Sequence, residues 1–201
     1  MLENKYEIEY WKKDQYVMGI DEAGRGPLCG PLVVACCILP LNYNNEGIND
    51  SKKLTARKRE VLFKQIIKDA HYFKVKIVTP KEIDELNIYG ATKNAMDELS
   101  KSSNLHSITL TDAMPLKRYD VIDIVKGDAK SISIAAASII AKVIRDHIMN
   151  GYDILYPQYE FRKHKGYPTK RHIELMYKYG LLDIYRMSYK PCRDVNEIKL
   201  F

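Results

Sequence analysis

Residues 16–30 read YVMGIDEAGRGPLCG, and this stretch holds the features from which the fold and the function of the chain can be predicted. Its apolar run, residues 17–20, is typical of the end of a buried strand. The run stops at two adjacent acids, Asp21 and Glu22. Because successive side chains of a strand point to opposite faces, we expect one carboxylate at the strand edge and the other across the sheet, or turned by a bulge.

The two acids are followed at once by Gly24, Arg25 and Gly26. Two glycines let the backbone approach a ligand closely, and the arginine places a guanidinium at the same point. Taken alone, an Asp-Glu pair or a Gly-x-Gly turn is common in surface loops. At one strand end, however, the acids, the flexible turn and the arginine together favour a site for metal ions and phosphates.

Length and composition fit one globular protein with its own core, since the chain has 201 residues of which 46% are hydrophobic. We predict a single domain over residues 1–201, in which residues 168–201 form a helical C-terminal extension. No apolar run reaches membrane-spanning length, and the polar N-terminus lacks the apolar segment of a signal peptide. We therefore expect a cytoplasmic protein without a membrane partner. The formal net charge of +6 favours a polyanion such as nucleic acid.

Hydrophobic periodicity and helix-capping signals predict strands and helices that alternate along the chain. The predicted strands are one that ends at Asp21 and residues 31–39, 71–78, 107–110 and 119–125. The predicted helices are residues 55–69, 80–100 with a break near Asn87, 131–149 and 168–179, followed by a helical tail that ends at Phe201. This order predicts an α/β fold with a mixed central sheet flanked by helices. The short connection between the first two strands predicts an antiparallel hairpin.

Acids at the ends of elements and on one buried helix face are candidate metal ligands. Asp21 and Glu22 end the first strand, Asp112 follows a later one, and Asp146 lies on the helix predicted for residues 131–149. Buried carboxylates without partners are costly, and divalent cations bound between them remove that cost. Oxygen ligands suit Mg²⁺ and Mn²⁺, and two such ions can drive phosphodiester hydrolysis.

Asp146 has a second interpretation that its position leaves open. On the predicted helix, Ser138, Lys142 and Asp146 recur every four residues and so share one face. Lys142 and Asp146 are therefore also compatible with an ordinary ion pair on a helix surface. Spacing along the sequence does not show whether the four acids converge.

Four long motifs resemble the type 2 ribonucleases H, and bacterial ribonuclease HII in particular. They are GIDEAGRGPLCGP at residues 19–31, TDAMPL at 111–116, KGDAKSISIAAASIIAKVIRD at 126–146 and HKGYPT at 164–169. The resemblance implies a ribonuclease H-like fold. The related ribonuclease HIII usually has Gly-Thr-Gly at the position of Gly24, Arg25 and Gly26 and carries a large N-terminal extension, so the resemblance to ribonuclease HII is the stronger one.

The same resemblance implies a metal-dependent endoribonuclease whose two Mn²⁺ or Mg²⁺ ions are held by four acids. Matched motif by motif, Asp112 and Asp146 complete this set with Asp21 and Glu22. Asp128 competes for the fourth place, but its motif is structural or phosphate-facing in the family.

The implied substrates are RNA/DNA hybrids and duplex DNA that contains single ribonucleotides, cut on the 5′ side of the ribonucleotide to leave 5′-phosphate and 3′-hydroxyl ends. In the family, the tyrosine that matches Tyr167 works with the turn at Gly24, Arg25 and Gly26 to recognise the ribonucleotide's 2′-hydroxyl. A phosphate contact by Lys52 or Lys53 is implied by the resemblance of their segment. The candidate phosphate-binding lysines are Lys52, Lys53, Lys126, Lys142 and Lys165.

Two other functions compete with this one. The first is a nucleic-acid-binding module without catalysis, which acids at all four positions disfavour. The second is another two-metal enzyme on the same fold, such as a junction resolvase or a transposase, which the Arg25 turn and the HKGY motif disfavour. We expect the chain to act as a monomer.

Overall fold

The computed structural model describes residue 2, residues 4–105 and residues 107–198. The strands are β1 (Tyr16–Ala23), β2 (Leu32–Ile38), β3 (Tyr72–Val78), β4 (Ser107–Asp112) and β5 (Val121–Ile124). The helices are α1 (Lys5–Trp11), α2 (Ala56–Asp69), α3 (Pro80–Ser100), α4 (Ile132–Leu155), α5 (Phe161–His164), α6 (Lys170–Tyr179) and α7 (Lys190–Ile198). Short 3₁₀ turns lie at Ser51–Lys53, Gly127–Ala129 and Pro157–Tyr159.

The five strands form one mixed sheet in the order β3-β2-β1-β4-β5. Strand β1 pairs antiparallel with β2, and β2 pairs antiparallel with β3. On the other side, β1 pairs parallel with β4, and β4 pairs parallel with β5. The predicted mixed sheet and the predicted antiparallel hairpin of the first two strands are therefore confirmed.

Two apolar layers cover the sheet. Helix α4 packs on one face against β1 and β2, with α2 beside it, and α3 packs on the opposite face. Helix α4 lies so close to β1 that a Cβ atom at Gly19 would come within 2.0 Å of the Ser133 carbonyl carbon. Only glycine allows this contact, and it holds α4 directly over the end of β1, where the acids lie.

The start of α4 is also held by a buried acid from α1. Glu7 is fully buried, and its Oε1 accepts hydrogen bonds from the Ser131 hydroxyl and the Ser133 N–H. A carboxylate at a helix N-terminus is favourable because unpaired N–H groups give that end a partial positive charge. The sequence of residues 1–15 indicates a polar lead-in that could include a turn of helix, but it does not indicate this anchoring role.

Helix capping was predicted well, whereas several element ends were not. Thr55 caps α2, Thr79 and Glu82 form the capping box of α3, and the predicted break is present at Asn87, whose φ is 55°. Strand β1 continues past the acids to Ala23, and α4 continues to Leu155, beyond its predicted end at residue 149.

The C-terminal part carries α6 and α7 and packs against residues 28 and 29 through a third apolar cluster. The tail predicted to end at Phe201 lies in part outside the described residues. None of the helices that the structure describes is both long and apolar enough to cross a membrane.

Candidate active site

Three carboxylates converge at one edge of the sheet. Asp21 lies in β1, Asp112 is the last residue of β4 and Asp128 lies in the 3₁₀ turn after β5. One oxygen from each lies within 4.8 Å of the other two. The cause is the parallel pairing of β1 with β4, in which Ile20 is aligned with Thr111, so that the next residue of each strand is an acid.

The third acid reaches this edge through a backbone contact. The Gly127 N–H donates a 2.7 Å hydrogen bond to Asp112 Oδ1, which fixes the turn beside the end of β4. A Cβ atom at Gly127 would lie 2.5 Å from Ile134 Cδ1, so the turn is also packed tightly against α4. These contacts hold Asp128 next to Asp112.

Burial dominates the electrostatics of the cluster. It raises the pKa of Asp21 well above its ordinary value, and the neighbouring Glu22 and Asp112 add to the increase. It also raises the pKa of Asp128, with Asp112 as the next contributor. For Glu22, burial raises the pKa to about 7 against the opposing effect of the Arg25 guanidinium. The protein therefore holds several carboxyl groups in a place where their charged forms are unfavourable.

The donor set fits a divalent cation. Asp128 Oδ2 and Glu22 Oε2 are buried and accept no hydrogen bond from the described residues. Asp128 Oδ2 has only the exposed Lys52 ammonium at 3.5 Å as an ionic partner. A buried carboxylate oxygen without a hydrogen bond is destabilising, and a cation bound among carboxylates would reduce that penalty. All the available ligands are oxygens, which suits Mg²⁺ or Mn²⁺.

Glu22 lies in the same cavity as the cluster without belonging to its tightest part. The cavity has a volume of about 200 Å³ and is lined by Asp21, Glu22, Asp112 and residues 23–26, among others. Glu22 Oε1 lies 3.6 Å from the Arg25 guanidinium. Among the described residues, Glu22 is not part of the group whose oxygens approach within 4.8 Å.

Asp146, the predicted fourth acid, lies outside this cluster and contacts two cationic side chains. The Lys142 ammonium donates a 2.8 Å hydrogen bond to Asp146 Oδ1, and the Arg59 guanidinium lies 3.8 Å from Oδ2. Ser138, earlier on α4, lies within hydrogen-bonding reach of Asp21. Asp146 is eight residues further along, about 12 Å at the usual helical rise. The structure thus brings Asp128, and not Asp146, to Asp21 and Asp112, and the alternative interpretation of Asp146 as a partner of Lys142 describes its contacts.

The glycine-arginine turn and Tyr167 lie next to each other and line the same cavity. A Cβ atom at Gly26 would lie 3.5 Å from Cε1 of the Tyr167 ring. That ring is 42% exposed, and the Arg145 guanidinium lies 6.0 Å from its centroid. The structure therefore brings Gly24, Arg25, Gly26 and Tyr167 together in the cavity that Asp21 and Asp112 also line.

The candidate lysines are placed unequally. Lys52 and Lys142 line the cavity, and Lys52 Nζ lies 3.5 Å from Asp128 Oδ2. Lys165 lies in a neighbouring pocket that also contains Asp146 and Arg59. Lys53 and Lys126 are exposed and do not line the cavity.

Sequence reasoning missed three contributors to the site. Ser51 lines the cavity, and its hydroxyl lies 3.0 Å from that of Ser138. Arg145 and Arg186 are buried beneath the turn. Arg145 is flanked by Asp146 and His147, and nothing near either arginine in the sequence indicates burial.

A larger cavity, about 540 Å³, lies away from these groups against Lys81, Asp84 and Met187. None of the residues predicted to form the site lines it. The chemistry available at the acid cluster therefore belongs to the smaller cavity.

Comparison with known proteins gives one consistent family. The family model described as Ribonuclease HII matches residues 18–192. A ribonuclease HII from Francisella tularensis subsp. novicida is 51% identical over 178 residues, covering 87% of this chain and 96% of the relative. A ribonuclease HII from Bacillus cytotoxicus is 48% identical over 200 residues, covering 98% of this chain and 77% of the relative.

Solved structures agree. The ribonuclease H2 from Pyrococcus horikoshii OT3 has a TM-score of 0.79 at 30% identity, covering 92% of this chain and 98% of that one. The Archaeoglobus fulgidus RNase HII, solved in a complex with PCNA, has a TM-score of 0.73 at 28% identity, covering 87% and 95%. The range matched by the family model, residues 18–192, contains the three clustered acids, the glycine-arginine turn and Tyr167.

Proposed function

Because the chain belongs to the ribonuclease HII family, and so is a nuclease that hydrolyses RNA hybridised to DNA, we propose that it also nicks duplex DNA at single embedded ribonucleotides. The cut lies on the 5′ side of the ribonucleotide and leaves 5′-phosphate and 3′-hydroxyl ends. One observation carries the proposal: Asp21 and Asp112 of the acid cluster (the acid wall) line the same cavity as the glycine-arginine turn and Tyr167 (the turn wall). Phosphodiester chemistry and recognition of a sugar can therefore act on the same nucleotide.

The acid wall would hold two Mn²⁺ or Mg²⁺ ions. Asp21, Asp112 and Asp128 are the proposed ligands, with Glu22 at the side of the cluster nearest Arg25. When bound, such ions supply Lewis acidity to phosphodiester hydrolysis. Lys52 and Lys142, which line the cavity, are placed to contact the phosphates that flank the cut.

The turn wall would distinguish ribose from deoxyribose. The difference is one 2′-hydroxyl, which both donates and accepts hydrogen bonds. Gly24 and Gly26 allow the backbone to approach the sugar closely, and Gly24 has a φ of 105°, which disfavours other residues. The exposed face of Tyr167 is placed to pack on the sugar while its hydroxyl donates to the 2′-oxygen.

The test compares three end-labelled substrates with Mg²⁺, with Mn²⁺ and with a chelator. These are an RNA/DNA hybrid, a DNA duplex with one ribonucleotide and an all-DNA junction. We expect metal-dependent cutting of the first two and none of the third. A chain that cuts the hybrid but leaves the single ribonucleotide intact would contradict the proposal without affecting the family activity.

The same assay separates the competing functions. Binding of all three substrates without any cut would indicate a nucleic-acid-binding module, and cutting of the junction would indicate a resolvase-like enzyme. We propose further that the enzyme is a cytoplasmic monomer, which sedimentation of the purified chain and of cell fractions would check.

A further inference from the structure

Arg186 is fully buried and directs its guanidinium at the backbone of the glycine-arginine turn. It donates to the carbonyls of Gly24 (2.7 Å), Arg25 (3.1 Å) and Gly30 (2.9 and 3.1 Å), and to the Tyr189 hydroxyl at 3.1 Å. The Tyr189 hydroxyl in turn donates to the Arg25 carbonyl at 2.8 Å. Arg186 thus bonds two peptides of the turn, and Tyr189 bonds one of them as well.

Arg145, which is 1% exposed, fixes the other end of the same loop. It donates to the carbonyls of Pro31 at 3.0 Å, Cys29 at 3.2 Å and Lys165 at 3.0 Å. Lys165 stands two residues before Tyr167. Arg145 therefore connects the loop at residues 24–31 with the segment that carries Tyr167.

Burying two arginines side by side is unfavourable for the free energy of folding. Two like charges are buried close to each other, and burial together with Arg186 lowers the pKa of Arg145 to about 10. Among the described residues, the hydrogen-bond acceptors of both guanidiniums are backbone carbonyls and one tyrosine hydroxyl, with no carboxylate. Well-packed apolar side chains commonly fill such space at lower cost. Apolar residues, however, could not donate hydrogen bonds to the backbone carbonyls of the turn.

The directed donors determine which way the peptides of the turn face. In a trans peptide the C=O and the N–H point in opposite directions. Since the carbonyls of Gly24 and Arg25 point at Arg186, the N–H groups of Arg25 and Gly26 point away from it. Within the described residues, neither of these N–H groups has a hydrogen-bond acceptor, and both residues line the cavity.

We propose that Arg145 and Arg186 are positioning residues for ribonucleotide recognition. They hold the N–H groups of Arg25 and Gly26 toward the substrate and keep Tyr167 against Gly26. The inference rests on the proposed function, because the recognised group is the 2′-hydroxyl of an embedded ribonucleotide. Neither arginine touches the substrate, so their loss should change discrimination between substrates more than the chemical step.

The experiment measures kcat/KM on the single-ribonucleotide duplex and on a long RNA/DNA hybrid, and takes the ratio of the two. Arg186→Lys keeps the charge but loses the forked donors, and we expect the ratio to fall by about fivefold or more. Arg145→Lys should act in the same direction. Tyr189→Phe removes one hydrogen bond to the Arg25 carbonyl from a partly exposed position, so it should fold normally and lower the ratio about two- to threefold.

Leu99→Ala is the matched control. Leu99 lies on α3 and is fully buried in the apolar layer between α3 and the sheet, so its truncation should lower the Tm by several degrees while the ratio stays unchanged. An unchanged ratio in Tyr189→Phe and in both arginine variants would overturn the proposal and leave these residues a structural role only.

A second measurement does not depend on substrate. In NMR spectra, the wild type should show a nuclear Overhauser effect between Gly26 and the Tyr167 ring, which Arg186→Lys should weaken together with shifts of the Arg25 and Gly26 amides. Unchanged spectra would also overturn the proposal. If the wild-type enzyme leaves the single ribonucleotide uncut, the proposed function fails, and these spectra alone decide whether the arginines position the turn.

Discussion

The two walls of the cavity bury charge in opposite ways. On the acid wall, Asp21, Asp112 and Asp128 crowd together, and one Asp128 oxygen is buried without a hydrogen bond. On the turn wall, Arg145 and Arg186 are buried as deeply, but their donors are met by backbone carbonyls. The acid wall therefore has buried charge that the protein leaves without hydrogen bonds, whereas the buried charges of the turn wall are hydrogen-bonded within the protein.

This difference separates the two tasks of the site. An incomplete cluster of acids gains stability from a divalent cation and so recruits the group that supports hydrolysis. A complete network of hydrogen bonds holds its shape before substrate arrives, which suits recognition of a small difference such as one hydroxyl. Changes on the acid wall should therefore reduce turnover on every substrate, whereas changes on the turn wall should alter the choice between substrates.

The largest effect is expected for Asp21→Asn. The change keeps the shape but removes a charge from the centre of the cluster, so we predict a loss of kcat by several orders of magnitude on the hybrid and on the single-ribonucleotide duplex alike. Substrate binding, measured as Kd, should be largely retained because acids and phosphates repel each other without metal. Turnover near the wild-type rate would remove Asp21 from the proposed site.

A smaller but more discriminating effect separates Asp128 from Asp146. Asp128→Asn should cost at least the roughly 10–100-fold typical of losing a supporting group around a metal. Asp146→Asn removes ion pairs with Lys142 and Arg59, worth about 0.2–1 kcal/mol, and should change kcat only a few-fold. Single-turnover rates at saturating metal show which of the two variants loses more activity. The reverse order would restore Asp146 as the fourth acid.

The position of Asp146 shows what sequence could and could not provide. The motifs and the strand pattern predicted the sheet, the place of Asp21 and Asp112 at its edge, and the caps of α2 and α3, because these depend on local periodicity and on residues near in sequence. Whether the Asp146 side chain reaches the cluster depends on where α4 lies along β1. The close contact between Gly19 and Ser133 is part of that packing. That is a tertiary distance, and helical spacing alone does not contain it.

The buried charges were hidden for a related reason. Charged residues are usually exposed, and the sequence gives no reason to expect otherwise for Glu7, Arg145 and Arg186. In the structure all three are at most 1% exposed. Their partners are backbone groups from distant segments, such as the Gly24 carbonyl for Arg186 and the Ser133 N–H for Glu7. Backbone acceptors and donors are the same at every position, so no sequence pattern marks them.

On the turn wall, Tyr167→Phe should reduce kcat/KM about two- to tenfold, the usual contribution of one neutral hydrogen bond. Tyr167→Ala should lower kcat/KM much further because it also loses packing on the sugar. Both losses should be larger on a single embedded ribonucleotide than on a long hybrid, where many registers offer a 2′-hydroxyl. Equal losses on both substrates, together with a lower Tm for Tyr167→Ala, would show that Tyr167 is only structural.

The smallest effect concerns stability and tests whether the acid wall is incomplete. Folding raises the pKa of Asp21, Asp128 and Glu22, the last to about 7. The folded chain therefore holds more protons than the unfolded chain between about pH 4 and pH 7, and the metal-free protein loses stability as pH rises through that window. A divalent cation competes with those protons, so its stabilisation should grow over the same window.

We expect Mg²⁺ or Mn²⁺ to raise the Tm by a few degrees more at about pH 8 than at about pH 5.5. His172, whose pKa burial lowers to about 4, loses its own stabilising contribution as pH falls, but it does so with and without metal. The difference between the two Tm values at each pH cancels that contribution. Asp146→Asn should keep the full metal response, since Asp146 is paired with Lys142, and Asp128→Asn should reduce it. A metal response of equal size at both pH values would mean that the carboxyl groups are already ionised without metal, and the contrast between the two walls would then disappear.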